Sequence, residues 1–419
     1  MWYFRGIYFD MGKAELLHAE LQMELDKSIA EVGNVMVVVP GKLFVPKVNR
    51  NGYNKGCACT KIKIQKLNPT SRQQLSKHLT RKHGWIPRKY HKGGTPVLDA
   101  TVLAQLPKSA EVFKTIILLT DRLGDLVNGA PGKAWMRAVW RDGRIHTNYA
   151  VSGCVTGRMI YTKPVISGVP QCDKPYGKKC RELYCAPKGA VLVGGDAAAI
   201  EMRMLAHFLW QFDSGEFATS VLHGDKTQGT DVHSRNMVAL GYGTRATAKT
   251  FFYAYIYGAG LEKLGLTLDP TLNSAQATAL GRKTKKQFEA SMPALKRLKS
   301  MIENILKNRD YFVGLDGRRL PVRSAHSALN LLCQAGATVV MKKSLVLLDG
   351  WLKEAGICVG TNGLVGNVVD EHIIQCYHSN WELCGKLLRK SIVDAGEYFE
   401  LKVPMDADYH VGNSWADIH

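Results

Sequence analysis

No run of 18 or more apolar residues occurs in the 419-residue chain, although hydrophobic residues make up 46% of it, which excludes an ordinary membrane span. The opening stretch, MWYFRGIYFDMGK, lacks the continuous apolar core and small-residue cleavage site of a secretory signal. Ten cysteines lie at irregular intervals without a C-x-x-C pair. Cys57 and Cys59 have no matching Cys/His pair at finger spacing, and Cys172, Cys180 and Cys185 are too loosely spaced for a zinc site. Reduced thiols in a cytosolic setting are the reading. Internal repeats and low-complexity tracts are also missing. Acids are the scarce charge: 36 Asp+Glu stand against 56 Lys+Arg, a net charge of +20. That balance suits a polyanionic partner, nucleic acid being the commonest, with a generically basic protein as the plain alternative.

What is present divides along the chain. Residues 13–32 carry helical periodicity and good helix formers. Residues 36–66 are β-prone, punctuated by Gly and Pro and nearly free of acids, and read as a small basic insertion between helices. Helices are predicted near 71–83 and 108–128, so 1–130 is mostly helical with one β-rich interruption. From 131 short strands and turns take over, with Asp142-Gly143 as a hairpin signal. Long helical patterns follow at 245–259, 274–308 and 325–355, the last two separated by a hairpin in YFVGLDGRRLPVRS. GNVVDEHIIQCYH reads as a strand pair, and a helix is predicted at 379–396.

Several residues carry chemistry. Ala190–Val193 reads as a buried strand, Asp196 follows it, and a helix begins with Ile200, Met204 and Phe208 along one face. Asp370 and Glu371 interrupt another apolar stretch, NVVDEHIIQ. Carboxylates in such places are costly unless paired or metal-bound, and two brought together would offer hard oxygen ligands to divalent cations. A hydrogen bond to a neighbouring turn is the plainer role for each. In RATAKTFFYAYIYGAG, Arg245, Lys249, Tyr253 and Tyr257 are spaced by four, so cations and then aromatics share one helix face. Such a face can bind phosphates at one end and stack a base at the other; an ordinary amphipathic surface is the alternative. VTGRMI sets Thr156 and Arg158 around a glycine turn. HSALNLLCQAGA places His326, Asn330 and Gln334 four apart on a predicted helix, whose amides suit minor-groove acceptors or simply form a solvated face.

Together these segments resemble the DNA polymerases of family A, in the family's order and over most of the chain. DAAAIEMRMLAHF resembles the first palm motif, RATAKTFFYAYIYG the finger-helix motif R-x3-K-x7-YG, and VVDEHIIQ the third motif. TGR and ALNLLCQAGA fit the two remaining signatures. AKTF, YGAG, GLDGR, the stretch VRSAHSALN and the ending VGNSWADIH point further to the replicative enzymes of T-odd podophages.

The resemblance implies an α+β right-hand fold with an antiparallel palm sheet: thumb at 1–130, palm at 131–210 and 320–419, fingers at 211–319. It implies a DNA-directed DNA polymerase acting on primer–template DNA and dNTP in the cytoplasm, that of a phage-infected host, without a membrane. Asp196 and Asp370 would hold two Mg²⁺ ions together with the backbone carbonyl of Ala197, and Glu371 would support the site. His233, Arg245 and Lys249 would bind the triphosphate. Tyr253 would pack near the sugar, and Glu201 would fill the space a 2′-hydroxyl needs. Tyr257 with Gly258 would stack at the templating position. Thr156, Arg158, Arg323, His326, Asn330 and Gln334 would contact primer–template, with Arg158, Asn330 and Gln334 probing the minor groove.

Three departures from the family pattern stand out. Val369 occupies the place of the usual His, and the neighbouring His372 is expected to point elsewhere. Ala197-Ala198-Ala199 is blander than the family's usual choices. The chain starts at what matches the thumb, so a proofreading exonuclease is expected to be encoded separately, to be absent, or to lie in a part of the protein outside this sequence. The segment 36–66 stands where related phage enzymes carry a larger loop for a host processivity factor, thioredoxin. Here it is shorter and basic, so DNA backbone, another processivity partner and plain decoration all remain open. Two rival readings are a single-subunit RNA polymerase, against which Glu201 argues, and a catalytically dead primer–template clamp, against which the retained acids and cations argue.

Overall fold

Ala190–Val193 does form a strand, β1 (Ala190–Ala197), in the computed structural model, which describes residues 5–87, 89–98, 106, 108–129 and 132–418. It is the third strand of a four-stranded antiparallel sheet that also contains β2 (Gly363–Val368), β3 (Glu371–Tyr377) and β4 (Ala407–Gly412), in the order β2-β3-β1-β4. Gly194 and Gly195 sit inside β1, where glycine normally weakens a strand. Close packing explains them. A Cβ on Gly194 would come within 2.5 Å of Ile418, and one on Gly195 within 2.6 Å of Leu388, so both faces of the strand are covered at short range.

Helices surround this sheet within the unit formed by Met1–Phe9 and Val139–His419. In chain order those that position the site are α1 (Ile200–Asp213), α2 (Val232–Leu240), α3 (Arg245–Ile256), α4 (Ser274–Ser291), α5 (Pro293–Asn308), α6 (Ala328–Glu354) and α7 (Trp381–Tyr398). The pattern at 274–308, read from the sequence as continuous, is two helices. Pro293 lacks an N–H and fits the first turn of a new helix, so α4 ends at Ser291 and α5 starts at Pro293. Thr244 caps α3, its hydroxyl accepting from Thr247 N–H while the Thr247 side chain answers the cap backbone.

The 27-residue α6 buries Leu331, Ala335, Val339, Val340 and Leu345 on many sides. It is long and apolar enough, by length and composition, to cross a membrane, because averaged hydropathy forgives the polar residues that interrupt its apolar run. Its apolar surface is instead spent inside the core, packed on α1 and α7.

The second unit, Asp10–Ala138, is built of helices and one ribbon. Asp10 caps helix Met11–Val32 by accepting from Lys13 N–H at 2.9 Å, and this helix packs on helix Glu111–Leu123. Strands Met36–Phe44 and Cys59–Lys66 pair antiparallel, where the sequence read a β-rich insertion, and helix Arg72–His83 follows its Ser71 cap. Helices with separate antiparallel sheets give the α+β class read from the sequence.

Candidate active site

Register brings the acids together. β3 pairs Glu371 with Asp196 of β1, and the two-residue turn Val369-Asp370 joins β2 to β3. Asp370 therefore lies beside the end of β1, where Ala197 N–H donates to its carbonyl oxygen at 3.4 Å. Asp196, Ala197, Glu201, Tyr253, Val369, Asp370 and Glu371 line one cleft of about 420 Å³. Two non-glycine residues flanking the acids have left-handed backbones, Ala199 at φ 50° and Val369 at φ 57°. For a β-branched residue such as Val369 that costs about 1–2 kcal/mol. The turn is held from outside: Val369 N–H donates to Tyr161 Oη at 2.6 Å, and Asn367 N–H to Tyr149 Oη at 3.4 Å.

The acids differ in environment. Burial pushes the Asp370 carboxyl up from its ordinary value, with Arg158 opposing and Glu201 adding to the shift. Glu371 is 3% exposed, and both its oxygens accept from Trp415 Nε1 at 3.0 Å. The Arg181 guanidinium covers the Trp415 ring at 4.3 Å. His372 points away from the cleft, as the sequence suggested: Asn367 Nδ2 donates to its Nδ1 at 3.0 Å, and Ser344 Oγ lies 2.7 Å from its Nε2. Burial alone lowers its pKa to about 4, so it is a neutral core histidine.

Glu201, on the first turn of α1, is bridged. Arg158 Nη2 donates to one of its oxygens at 3.3 Å and Tyr257 Oη to the other at 2.9 Å. The Tyr257 phenol is pushed up by burial and by Glu201. Tyr253 lies one turn earlier, on α3, its ring 6.1 Å from that of Tyr257 at the helix C-cap. His233, at the start of α2, stands 6.0 Å from Tyr253, and its Nδ1 is buried with no hydrogen-bond partner among the described residues. Burial, then Arg245 and Lys249, lower the His233 pKa. Lys249 is exposed one turn beyond Arg245.

Arg245 has a partner that its own helix did not advertise. Its Nε donates to Asp231 Oδ1 at 3.2 Å and its Nη2 to Oδ2 at 2.6 Å. Asp231 also caps α2 by accepting from His233 N–H at 3.2 Å, and the Arg245 hydrogen bond holds its carboxyl well below the usual range. The remaining expected residues gather elsewhere. Thr156 offers its carbonyl to Arg318 Nη2 at 2.9 Å, and a Cβ on Gly157, at φ 80°, would strike that guanidinium at 2.4 Å. Gly258 lies against the His326 carbonyl, which a Cβ would approach to 2.1 Å. Asn330 and Gln334 are half-buried on successive turns of α6, and Arg323 is exposed in the loop before it. Of the expected residues, Asp196, Ala197, Glu201, Tyr253, Asp370 and Glu371 line the acidic cleft, whereas Thr156, Arg158, His233, Arg245, Lys249, Tyr257, Gly258, Arg323, His326, Asn330 and Gln334 do not.

Sequence reasoning missed Asp231, Arg318, Trp415 and Tyr161 as members of the site, and noted Arg203 in the first palm motif without giving it a role. Arg203 Nε donates to the Ala198 carbonyl at 2.7 Å and its Nη1 reaches the Pro404 carbonyl, tying down the loop after Asp196. Arg318 and Trp415 stand in phrases already noted, GLDGR and VGNSWADIH, which was the available signal.

Residues 54–417 match the family model of DNA polymerase family A, and the chain belongs to that family. It is 31% identical over 403 residues to the DNA-directed DNA polymerase of Escherichia phage T7, which covers 88% of this chain and 55% of that protein. Identity to the corresponding enzyme of Enterobacteria phage T3 is 30% over the same shares. The thermostable DNA polymerase I of Thermus aquaticus is 25% identical, over 83% of this chain and 42% of its own. The chain thus spans about half the length of the phage relatives it matches. Among solved structures, the POL domain of Pol1 from M. smegmatis, in complex with DNA primer-template and dNTP, shares the fold. Its TM-score is 0.75, at 21% identity, over 98% of this chain and 68% of that one.

Proposed function

We propose that this chain is a DNA-directed DNA polymerase that adds deoxynucleotides to a primer 3′-hydroxyl on a DNA template, in the cytoplasm of a phage-infected host. The observation that carries the reading is the convergence on one cleft of Asp196, at the end of β1, and Asp370, in the turn before the neighbouring antiparallel strand β3, beside a helix bearing Arg245 and Lys249. In this reading 1–130 is the thumb, 131–210 and 320–419 the palm, and 211–319 the fingers.

The donor set fits divalent cations. Asp196, Asp370 and the Ala197 carbonyl are hard oxygens, and the desolvation that raises Asp370 is what a bound cation would offset. Two Mg²⁺ ions held there would supply charge for activating the primer hydroxyl and for the triphosphate and its leaving pyrophosphate. Glu371, fixed by Trp415, would support the site from β3. His233, Arg245 and Lys249 receive the triphosphate, with Asp231 holding the Arg245 fork in place before it arrives. Tyr253 packs on the sugar. Glu201, pinned between Arg158 and Tyr257, occupies the space of a ribose 2′-hydroxyl and rejects ribonucleotides by exclusion. Tyr257 and Gly258 meet the templating base. Thr156, Arg158, Arg323, His326, Asn330 and Gln334 contact primer–template.

Extension of a labelled primer with Mg²⁺ and each nucleotide type tests this, with Asp196→Ala beside it. Extension with deoxynucleotides, lost by about a thousandfold or more in the variant, is expected for removal of a metal-holding acid. Equal use of ribonucleotides would favour an RNA polymerase, and binding without extension a clamp.

A further inference from the structure

Val369 holds the least comfortable backbone of the site, a β-branched residue at φ 57° in the turn that presents Asp370. Such a conformation persists only where its surroundings over-determine it. Two hydrogen bonds restrain the turn. Val369 N–H donates to Tyr161 Oη at 2.6 Å, and the carbonyl of Asp370 accepts from Ala197 N–H at 3.4 Å.

Tyr161 is itself fixed. It lies on a two-stranded ribbon, Asn148–Ala150 with Ile160–Thr162, and is 7% exposed. Its ring meets that of the ribbon's Tyr149 edge to face at 5.5 Å, and Tyr149 Oη accepts from Asn367 N–H at 3.4 Å. One ribbon thus grips the turn and the strand leading into it. The Tyr161 phenol oxygen thus offers the turn an acceptor, and burial pushes its pKa up from the ordinary value.

We propose that Tyr161 is a positioning residue: by accepting the Val369 N–H it holds the turn left-handed and thereby sets the direction in which Asp370 presents its carboxylate. The proposal rests on the reading of Asp196 and Asp370 as the metal-holding pair. Without the phenol oxygen, the Val369 N–H of this exposed residue would lose its protein partner to water, and its strained φ would lose a restraint. Asp370, the next residue, would then sample more than one direction.

Tyr161→Phe keeps the ring and removes the acceptor. Mn²⁺ binding to the full chain on a primer–template, followed by electron paramagnetic resonance, is expected to weaken roughly tenfold, the usual scale for losing a group that orients a ligand. The kcat for extension should fall by a similar factor while KM for dNTP stays within about twofold. Glycine adopts φ 57° without steric cost, so the same change made in a Val369→Gly background should cost markedly less. Parental Mn²⁺ affinity in Tyr161→Phe would overturn the proposal, as would an equal penalty in both backgrounds. Asp370→Asn separates the two levels: if it leaves Mn²⁺ binding intact, the metal-pair reading itself fails. If it abolishes binding while Tyr161→Phe does nothing, only the positioning role fails. A thermal melt close to that of the parent assigns the loss to positioning, and a collapsed melt with the loss assigns it to folding and overturns the role.

Discussion

At Asp231 one carboxylate does two jobs, capping α2 and forking Arg245, and the two are separable. Asp231→Asn keeps a good cap but gives up the charged fork. Under the proposed function, KM for dNTP should rise several-fold with little change in melting temperature, measured by steady-state extension and thermal denaturation. An unchanged KM would mean that Arg245 needs no partner to meet a phosphate. Asp231→Ala should in addition lose about 1 kcal/mol of stability through the missing cap. His372 makes a different prediction. Its folded-state pKa of about 4 lies below the ordinary 6.5, so the folded protein resists a proton that the unfolded chain accepts. Its contribution is therefore complete above pH 6.5 and is lost as pH falls from there toward 4. Urea unfolding across that window should show stability declining with acid, and His372→Gln should flatten the decline. A slope identical in both proteins would place the acid sensitivity elsewhere.

Elements inherit their spacing from small residues. On α7, a Cβ at Gly385 would lie 2.1 Å from the Tyr409 ring of β4, so Gly385→Ala must push helix and sheet apart and should destabilise by about 1–3 kcal/mol. Gly350 on α6 meets nothing within 4 Å, so Gly350→Ala should stabilise by about 0.5–1 kcal/mol through helix propensity. Denaturant titration of both variants checks the pair, and equal signs would contradict the packing described. These elements also mark what the sequence made legible. Periodicity located the long helices and the strands before Asp196 and around Asp370, but not the short helices Glu216–His223, Val232–Leu240 and Leu261–Leu268 or the strand Ala407–Gly412. The four-residue spacing placed Arg245, Lys249, Tyr253 and Tyr257 along α3, Tyr257 at its C-cap. Partners brought by the fold were invisible: Asp231 is 14 residues from Arg245, Trp415 is 44 from Glu371, and Tyr161 is 208 from Val369. No local pattern records such pairings, because only the packed tertiary structure creates them. The break before Pro293 was readable from its missing N–H, yet continuous amphipathic spacing on both sides concealed it.

For the whole molecule the governing quantity is charge. The excess of 20 positive charges is unevenly spread, since residues 32–98 contain no Asp or Glu and 14 Lys or Arg. Within that stretch the ribbon alternates in chemistry. Register puts Val38 opposite Ile64, both exposed, while Lys63 is paired with Val39 on the other face, near Lys61. Lys61 Nζ rests 5.3 Å from the Phe44 ring, leaving its charge outward. If the lysine face contacts nucleic-acid backbone, each cation neutralising a phosphate releases counterion, and the dependence of log affinity on log salt steepens by about 0.9 per contact on duplex DNA. Lys61→Gln with Lys63→Gln should therefore lower the magnitude of that slope by up to about 1.8 for primer–template binding, with no change in preference among template sequences. Fluorescence anisotropy across a series of salt concentrations measures it. A slope identical to that of the parent would remove the ribbon from the DNA-binding surface and leave its exposed apolar face, with Leu43 and Ile62, as the feature that calls for a protein partner.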